Sequence, residues 1–236
     1  MNKKFSIIIP VYNEKKNIEK LSKKIIRSLR NVKYEIIFVD DESTDGTIEI
    51  LKKISQRKFI NFFVRKNCPK DLSQSCFFGF KKSKYKNIIV MDGDLQHDPI
   101  FLNNMISKFN SKNLDFIVGS RNFKSERIKE LSFLRYYASK FLINLFFLFV
   151  GKKTQDPMSG FFIFKKKCIG NNKIYFGRGY KILSDLLYSN VNKKYKVEDF
   201  PIKFRSRKTG SSKMNLKVLI NIILFILFIL YKKSKI

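Results

Sequence analysis

The feature that most constrains the fold is a regular alternation between short apolar runs and amphipathic helical patterns. Phe5–Pro10 is an apolar run, and the apolar residues of Lys15–Arg30 recur at helical spacing. Tyr34–Val39 repeats the apolar run, and a second helical pattern follows the polar turn Asp40–Gly46. Such alternation is typical of a parallel sheet covered by helices. We therefore predict an α/β fold, with a mostly parallel sheet and helices on both faces.

The same patterns continue along the chain, more weakly after residue 122. Further strands are predicted at Asn61–Val64, Ile88–Met91, Asp115–Ser120, Phe161–Phe164 and Lys196–Phe200, and further helices at Leu72–Ser83, Pro99–Asn110 and Arg178–Tyr188. Asn13 is the predicted N-cap of the first helix, and Asp98 and Pro99 are the predicted cap and first residue of the helix at 99–110. A chain of 236 residues suits one such domain, which we place at residues 1–213.

Polar loops follow the predicted strands, and their side chains form the candidate site. The loops are Val11–Glu14, Asp40–Asp45, Asp92–His97 and Arg121–Asn122. In a parallel sheet the ligand site lies outside the carboxyl ends of the strands, so these loops should converge on one pocket. A pocket lined by acids is costly unless a cation or basic groups neutralise it. The loops therefore predict a divalent cation that bridges to an anionic ligand.

Asp92 and Asp94 are the main candidates to hold that cation. They follow the apolar run Ile88–Met91, and Gly93 between them permits a tight bend. Both carboxylates can then reach one hard cation such as Mg²⁺ or Mn²⁺. Asp-Gly-Asp is also a common surface turn, and the convergence of the loops favours the metal site over that alternative. His97, the one histidine of the chain, is predicted to lie beside the metal site rather than to act as a base.

The charge of the chain points to an anionic partner. The 49 Lys and Arg residues against 19 Asp and Glu give a net charge of +30, which suits nucleic acid, a phosphorylated substrate or an acidic membrane surface. A general enrichment in lysine is the alternative reading. The glycine motifs that hold dinucleotides or phosphates in other α/β proteins do not occur. The basic stretch Lys203–Lys213, with Gly210 inside it, is predicted to be a mobile anion-binding loop, the alternative being a solvated loop.

Two apolar stretches suggest contact with a membrane. Leu131–Val150 is interrupted by Arg135 and Lys140, so a helix in the membrane interface and a core helix both remain open. Val218–Tyr231 is nearly all apolar, but its 14 residues fall short of the roughly 20 that a spanning helix needs. We predict that residues 214–236 form a membrane-associated helix with a basic tail, the alternative being a buried terminal helix.

Cysteine usage and the N-terminus indicate a cytoplasmic location. The three cysteines lack Cys-x-x-Cys spacing, which suggests neither a disulfide framework nor a zinc site. The chain enters a strand almost at once, without a signal peptide. We therefore expect the folded part to lie at the cytoplasmic face of the inner membrane.

Six motifs, in order, resemble those of the family 2 glycosyltransferases. They are Ile9–Glu14, Val39–Asp41 with Ser43 and Asp45–Thr47, Met91–His97, Gly119–Arg121, Asp156–Phe161, and Arg207 through Gly210 to Lys213. Among that family the chain is most similar to the dolichol-phosphate mannose synthase type and its bacterial polyprenyl-phosphate relatives. The resemblance implies a GT-A fold and a metal-dependent, inverting transfer of a hexose to dolichyl or undecaprenyl phosphate. GDP-mannose is the favoured donor.

The resemblance also implies roles for individual residues. Those implied to hold the base and ribose of the donor are Pro10, Tyr12, Glu14, Val39 and Asp41. Those implied for ribose, diphosphate and metal are Asp92, Gly93 and Asp94, with Asp94 and Gln96 as ligands of Mg²⁺ or Mn²⁺. The basic groups implied for the diphosphate are Arg121, Arg207 and Lys213, of which the last two, with Asp94, would be catalytic. Asp156 and Ser159 lie in a motif near the acceptor side.

Two departures from the family pattern accompany these matches. Glu42 stands where relatives often carry glycine, and Ser211-Ser212 stands where they often carry Glu-Ser. Neither change removes an implied ligand.

The chemistry of a phosphate acceptor agrees with this interpretation. Its second pKa is about 6, so it is already an anionic nucleophile near neutral pH and needs no general base. A metal and basic side chains would stabilise the charge that develops on the leaving diphosphate. Two alternatives remain open. One is a UDP-sugar donor, with undecaprenyl phosphate or a glycan hydroxyl as acceptor; the other is a basic nucleic-acid-binding protein, for which the chain has no recognisable motif.

Overall fold

A computed structural model describes residues 4–29, 31–121, 144, 146–170, 175–179, 182–190, 192–203 and 216–235. Most of the Leu131–Val150 stretch lies outside these residues, as do Asn122 and the loop after Lys203 that was predicted to bind an anion. Residues 146–150 are helical.

The strands form a single mixed sheet. They are β1 (Lys4–Val11), β2 (Lys33–Asp40), β3 (Ile60–Val64), β4 (Asn87–Val90), β5 (Phe116–Arg121), β6 (Phe162–Lys165) and β7 (Val197–Ile202). Their order is β3-β2-β1-β4-β6-β5-β7. Strand β6 runs antiparallel to β4 and β5, and the other pairs are parallel. The predicted mostly parallel sheet is confirmed, with one reversed strand that the apolar pattern did not reveal.

Six further helices accompany the sheet among the described residues, in addition to the helical residues 146–150. They are α1 (Lys15–Ser28), α2 (Thr47–Ile54), α3 (Leu72–Lys82), α4 (Leu102–Ser111), α5 (Ile182–Tyr188) and α6 (Leu216–Ser234). Pro99–Phe101 and Lys166–Cys168 form short 3₁₀ turns. The Asp98 side chain accepts a hydrogen bond from the Ile100 N–H and Pro99 follows it, which confirms the predicted cap. The predicted Asn13 cap is wrong, because Glu14 occupies that position without a side-chain bond.

The sheet separates two apolar clusters, one on each face. One contains Ile7 and Ile9 of β1 together with residues of α1, α2 and α4. The other contains Ile8 together with residues of α3, α5 and α6. Successive side chains of a strand point to opposite faces, so a strand buried on both faces is apolar throughout. Helices on both faces are therefore confirmed.

Helix α6 packs on the domain by one face and exposes apolar side chains on the other. The Phe225 side chain is fully buried, and its ring stacks on that of Phe146 at a centroid distance of 6.0 Å. The exposed apolar side chains of the helix are Ile220, Ile223, Leu224, Leu227 and Tyr231. Across the described ranges, none of the helices combines the length and the apolar character that crossing a membrane requires.

Candidate active site

The loops after β1 and β2 are joined by direct hydrogen bonds. The Asn13 N–H donates to Ser43 Oγ at 2.8 Å, and the Asn13 side-chain oxygen accepts from the Thr44 N–H at 2.9 Å. The Glu14 N–H donates to Thr47 Oγ1 at 2.9 Å. Asn13 adopts a left-handed backbone with φ of 56°, which asparagine tolerates better than most residues. Its side chain therefore joins two loops instead of capping α1.

The loop after β4 packs directly on the end of β1. A Cβ atom on Gly93 would lie 2.9 Å from Val11 Cγ1 and 3.5 Å from the Pro10 carbonyl oxygen. Glycine is thus required here for close packing. The chain turns at Gly93 and Asp94, as predicted, and Leu95 after them has a left-handed φ of 65°. The predicted convergence of the strand ends is confirmed for these three loops.

Asp92 lies where the loop after β4 meets the loop before β6. A Cβ atom on Gly160 would lie 2.2 Å from Asp92 Oδ2, so the carboxylate lies directly against the glycine backbone. The Nδ1 atom of His97 lies 3.4 Å from the same oxygen. Sequence reasoning placed Gly160 in a motif without a role, and the structure shows that its lack of a side chain makes room for Asp92.

Asp94 and Gln96, the two implied metal ligands, are joined by a bond between the Asp94 side chain and the Gln96 backbone. Asp94 Oδ1 accepts the Gln96 N–H at 3.0 Å, and Asp94 is 8% exposed. No group of three or more His, Cys, Asp or Glu side chains that could hold a metal occurs within the described ranges. Mg²⁺ is commonly held by one or two protein oxygens together with substrate phosphates and water. The pair therefore fits a metal that binds together with a diphosphate.

His97 is a neutral imidazole at neutral pH. Burial lowers the pKa of His97 to about 4, and the positive charge of Arg121 acts in the same direction. Its ring lies 5.6 Å from that of Phe161, centroid to centroid. A group with this pKa is a poor proton acceptor near pH 7. The predicted position of His97 beside Asp92 and Asp94, without the role of a base, agrees with this environment.

Arg121 and Asp156 form a bidentate ion pair. Arg121 Nε donates to Asp156 Oδ2 at 2.6 Å, and its Nη2 donates to Oδ1 at 2.8 Å. Asp156 is completely buried. Burial disfavours the charge of Arg121, but the adjacent carboxylate outweighs that effect and raises its pKa. Asp156 thus fixes the guanidinium that was predicted to bind the diphosphate.

Ser159 ties the same loop to the end of β5. Its hydroxyl donates to the Gly119 carbonyl oxygen at 2.7 Å and also accepts from the Phe161 N–H at 3.2 Å. Both Ser159 and Asp156 therefore hold the 156–160 loop against β5, and an acceptor-side role for them stays a prediction.

Asp41 is held by residues that sequence reasoning missed. Its Oδ1 accepts from Arg65 Nη1 at 2.8 Å and from the Ser75 hydroxyl. Its Oδ2 accepts from the Asp71 N–H at 2.9 Å. Arg65 directly follows β3, so the rule that ligands gather at strand ends would have found it if the loop after β3 had been included.

The remaining implied donor-site residues differ in exposure. Pro10 and Val39 are buried at the ends of β1 and β2. Tyr12 and Glu14 are half-buried, and the Tyr12 hydroxyl lies 2.8 Å from Lys70 Nζ. The Lys70 ammonium also lies 4.3 Å from the centroid of the Tyr12 ring. Arg207 and Lys213 lie outside the described residues.

We expect Gly160→Ala to reduce turnover at least about tenfold while the fold stays intact, because the new methyl group must displace the Asp92 carboxylate. Turnover and far-UV circular dichroism of the purified variant measure both quantities. In an Asp92→Ala background the same methyl group meets no carboxylate, so Gly160→Ala should add little there. An equal loss in both backgrounds would contradict this account.

Comparison with known proteins identifies a family and several relatives of this chain. The model of glycosyl transferase family 2 matches residues 6–171. A dolichol-phosphate mannosyltransferase of Pyrococcus furiosus is 34% identical over 219 residues, which are 92% of this chain and 60% of that protein. A dolichol-phosphate mannosyltransferase of Saccharomyces cerevisiae is 29% identical over 231 residues, 93% of this chain and 84% of that protein. The chain thus spans less than two thirds of the archaeal relative.

A solved structure confirms the fold. Glucosyl-3-phosphoglycerate synthase from Mycobacterium tuberculosis, in complex with Mn²⁺, UDP-glucose and phosphoglyceric acid, superposes with a TM-score of 0.71 at 17% identity. The match covers 99% of this chain and 80% of that chain. The α/β fold is the expected GT-A fold. With the family model matching most of the chain, this protein belongs to glycosyl transferase family 2.

Proposed function

We propose that the protein is a metal-dependent, inverting glycosyltransferase that moves a hexose from a nucleotide sugar to a polyprenyl phosphate. GDP-mannose is the favoured donor, and dolichyl or undecaprenyl phosphate is the acceptor. The observation that carries the proposal is the meeting of Asp41, Asp92, Asp94 and Arg121 at one edge of the sheet. The dolichol-phosphate mannosyltransferases among its relatives support the choice of donor and acceptor.

Asp94 and Gln96 would hold Mg²⁺ or Mn²⁺ together with the diphosphate of the donor. The cation would stabilise negative charge on the leaving diphosphate. Arg121 lies at the same edge, held in one orientation by Asp156, so its charge requires little reorganisation during the reaction. Arg207 and Lys213 would add further positive charge at the diphosphate.

The lipid acceptor is supported by the position of α6. A Cβ atom on Gly179 would lie 3.6 Å from the Asn221 side chain of α6. Gly179 in turn donates its N–H to Asp71, which bonds to Asp41 of the donor site. The exposed apolar face of α6 therefore begins close to the sheet edge that carries the site. Lys233 and Lys235 at its other end are exposed and suit an anionic membrane surface.

A phosphate acceptor needs positive charge at the site and no base, whereas a hydroxyl acceptor needs a base. Arg121 supplies a fixed positive charge, while the low pKa of His97, about 4, makes it a poor proton acceptor. A phosphate monoester is already ionised near neutral pH and requires only the former. We place the reaction at the cytoplasmic face of the inner membrane.

A UDP-sugar donor is the second candidate, because the superposed mycobacterial enzyme was solved with UDP-glucose. We therefore propose to incubate the purified full chain and Mn²⁺ or Mg²⁺ with polyprenyl phosphate and a panel of GDP- and UDP-sugars. Mass spectrometry of the extracted lipid should show one added hexose, most strongly with GDP-mannose. If glycolipid forms with UDP-glucose alone, UDP-glucose is the donor and GDP-mannose is not. The absence of product with every donor would reject the proposed function.

A further inference from the structure

A short segment, residues 175–179, is held between α3 and α5. The carboxylate of Asp185 in α5 accepts the N–H groups of Phe176 at 2.9 Å and of Gly177 at 2.6 Å. The Gln74 side chain of α3 donates to the Gly177 carbonyl oxygen at 2.5 Å. Gly177 and Gly179 both have positive φ, of 63° and 77°, which glycine adopts without strain. The segment therefore has one defined position against two helices.

Asp71, the N-cap of α3, joins this segment to the donor site. Its Oδ2 accepts the Gly179 N–H at 2.6 Å and its Oδ1 accepts the Gln74 N–H at 3.1 Å. Its own N–H donates to Asp41 Oδ2 at 2.9 Å. Ser73 strengthens the junction, because its N–H and its hydroxyl both donate to the Gly179 carbonyl oxygen, at 3.1 Å and 2.7 Å.

We propose that Asp71 is a positioning residue for the nucleotide: it fixes the Asp41 carboxylate against the 175–179 segment, so that the base-binding side of the donor site is formed before the donor binds. The inference rests on the proposed nucleotide-sugar site. Preorganisation of this kind raises affinity because less order has to be created on binding.

The geometry explains why asparagine cannot replace Asp71. Both carboxylate oxygens accept backbone N–H groups, one from Gln74 and one from Gly179. An asparagine side chain has one acceptor oxygen, so its NH₂ group would face one of these donors. Either the cap of α3 or the bond to Gly179 is then lost, and the Asp71 backbone that contacts Asp41 loses its support.

Asp71→Asn is the test variant and Asp115→Asn is the matched control. Asp115, like Asp71, accepts a backbone N–H, here that of Lys196 at 3.1 Å. Unlike the test residue, it also pairs with Lys165, at 3.5 Å. It precedes β5 and therefore lies at the opposite edge of the sheet from the donor site. Both variants replace a carboxylate that accepts a backbone N–H, one at the proposed junction and one far from it.

Amide hydrogen exchange of the full chain without ligand is the first measurement. In Asp71→Asn, exchange should accelerate both at residues 177–179 and at residues 41–45, while Asp115→Asn leaves both segments at the wild-type rate. Unchanged exchange at residues 41–45 in Asp71→Asn would overturn the proposal. This readout does not depend on nucleotide binding, so it decides the proposal even if the proposed enzymatic function fails.

Calorimetric binding of GDP and UDP in the presence of Mn²⁺ is the second measurement. Asp71→Asn should lower the affinity about tenfold for the nucleotide that the wild type binds. This is the effect of losing one charge-assisted hydrogen bond. Because Asp71 acts through Asp41, the Asp71→Asn substitution should lower the affinity by less than about a further twofold in an Asp41→Asn background. Additive losses, or wild-type affinity in Asp71→Asn, would overturn the proposal. Failure of the wild type to bind either nucleotide would count against the proposed function instead.

Discussion

Asp94→Asn is expected to lower turnover about a thousandfold, a loss typical of removing one group that stabilises charge in a transition state. The amide keeps the size of the carboxylate but loses the negative charge that a divalent cation requires. The bond from the Gln96 N–H to Asp94 Oδ1 lies within one loop, and an amide oxygen can also accept it, so the fold should survive the substitution. Initial rates at saturating donor, together with thermal unfolding, measure both effects.

Binding of Mn²⁺ should also change in Asp94→Asn. Wild-type protein should bind Mn²⁺ weakly by itself and much more tightly with a nucleoside diphosphate, and Asp94→Asn should lose that difference. Asp115→Asn, which alters a carboxylate at the opposite sheet edge, should retain it. Wild-type turnover in Asp94→Asn would show that the metal site has been misplaced.

Asp156→Ala is expected to destabilise the protein by about 3 kcal/mol, because it leaves the Arg121 guanidinium largely buried and without its carboxylate. We expect a loss of stability at the lower end of the usual range for breaking a buried ion pair, because the Arg121 side chain is 23% exposed. Urea unfolding at neutral pH measures the loss. Turnover should fall as well, because Arg121 no longer has a fixed orientation at the site.

Two companion variants separate this effect from a general loss of charge. Arg121→Met combined with Asp156→Ala removes both charges and should be more stable than Asp156→Ala alone. Glu198 pairs with Lys108 and Lys112 at the surface, where solvent screens the charges, so Glu198→Ala should cost much less stability than Asp156→Ala. If Asp156→Ala unfolds at the same urea concentration as wild type, the ion pair does not hold the site together.

The sequence predicted the elements of the sheet because the alternation of apolar runs and amphipathic patterns is local information. It predicted the meeting of the loops because parallel strands end at a common edge of the sheet. The antiparallel direction of β6 was not predictable in this way. An apolar run such as Phe161–Phe164 reads the same in either direction, and its neighbours β4 and β5 are distant in the chain.

The positions of the candidate side chains were easier to predict than those of the residues that contact them. Asp92 and Asp94 follow a buried strand directly, which is a recognisable position. Gly160 and Asp156 act through contacts with Asp92 and Arg121 that only the folded chain reveals. The prediction of an Asn13 cap was wrong because the Asn13 side-chain oxygen accepts the Thr44 N–H of the neighbouring loop instead of an N–H of α1.

The most direct test of the central claim compares two acceptors that differ in one group. Purified protein with Mn²⁺ and its preferred nucleotide sugar is given either a polyprenyl phosphate or the matching polyprenol, and the hexosyl lipid is quantified by mass spectrometry. We predict a hexosyl phosphate lipid from the first and no product from the second, because an ionised phosphate attacks without a base, whereas a hydroxyl needs one. Glycosylation of the polyprenol but not of its phosphate would contradict the account.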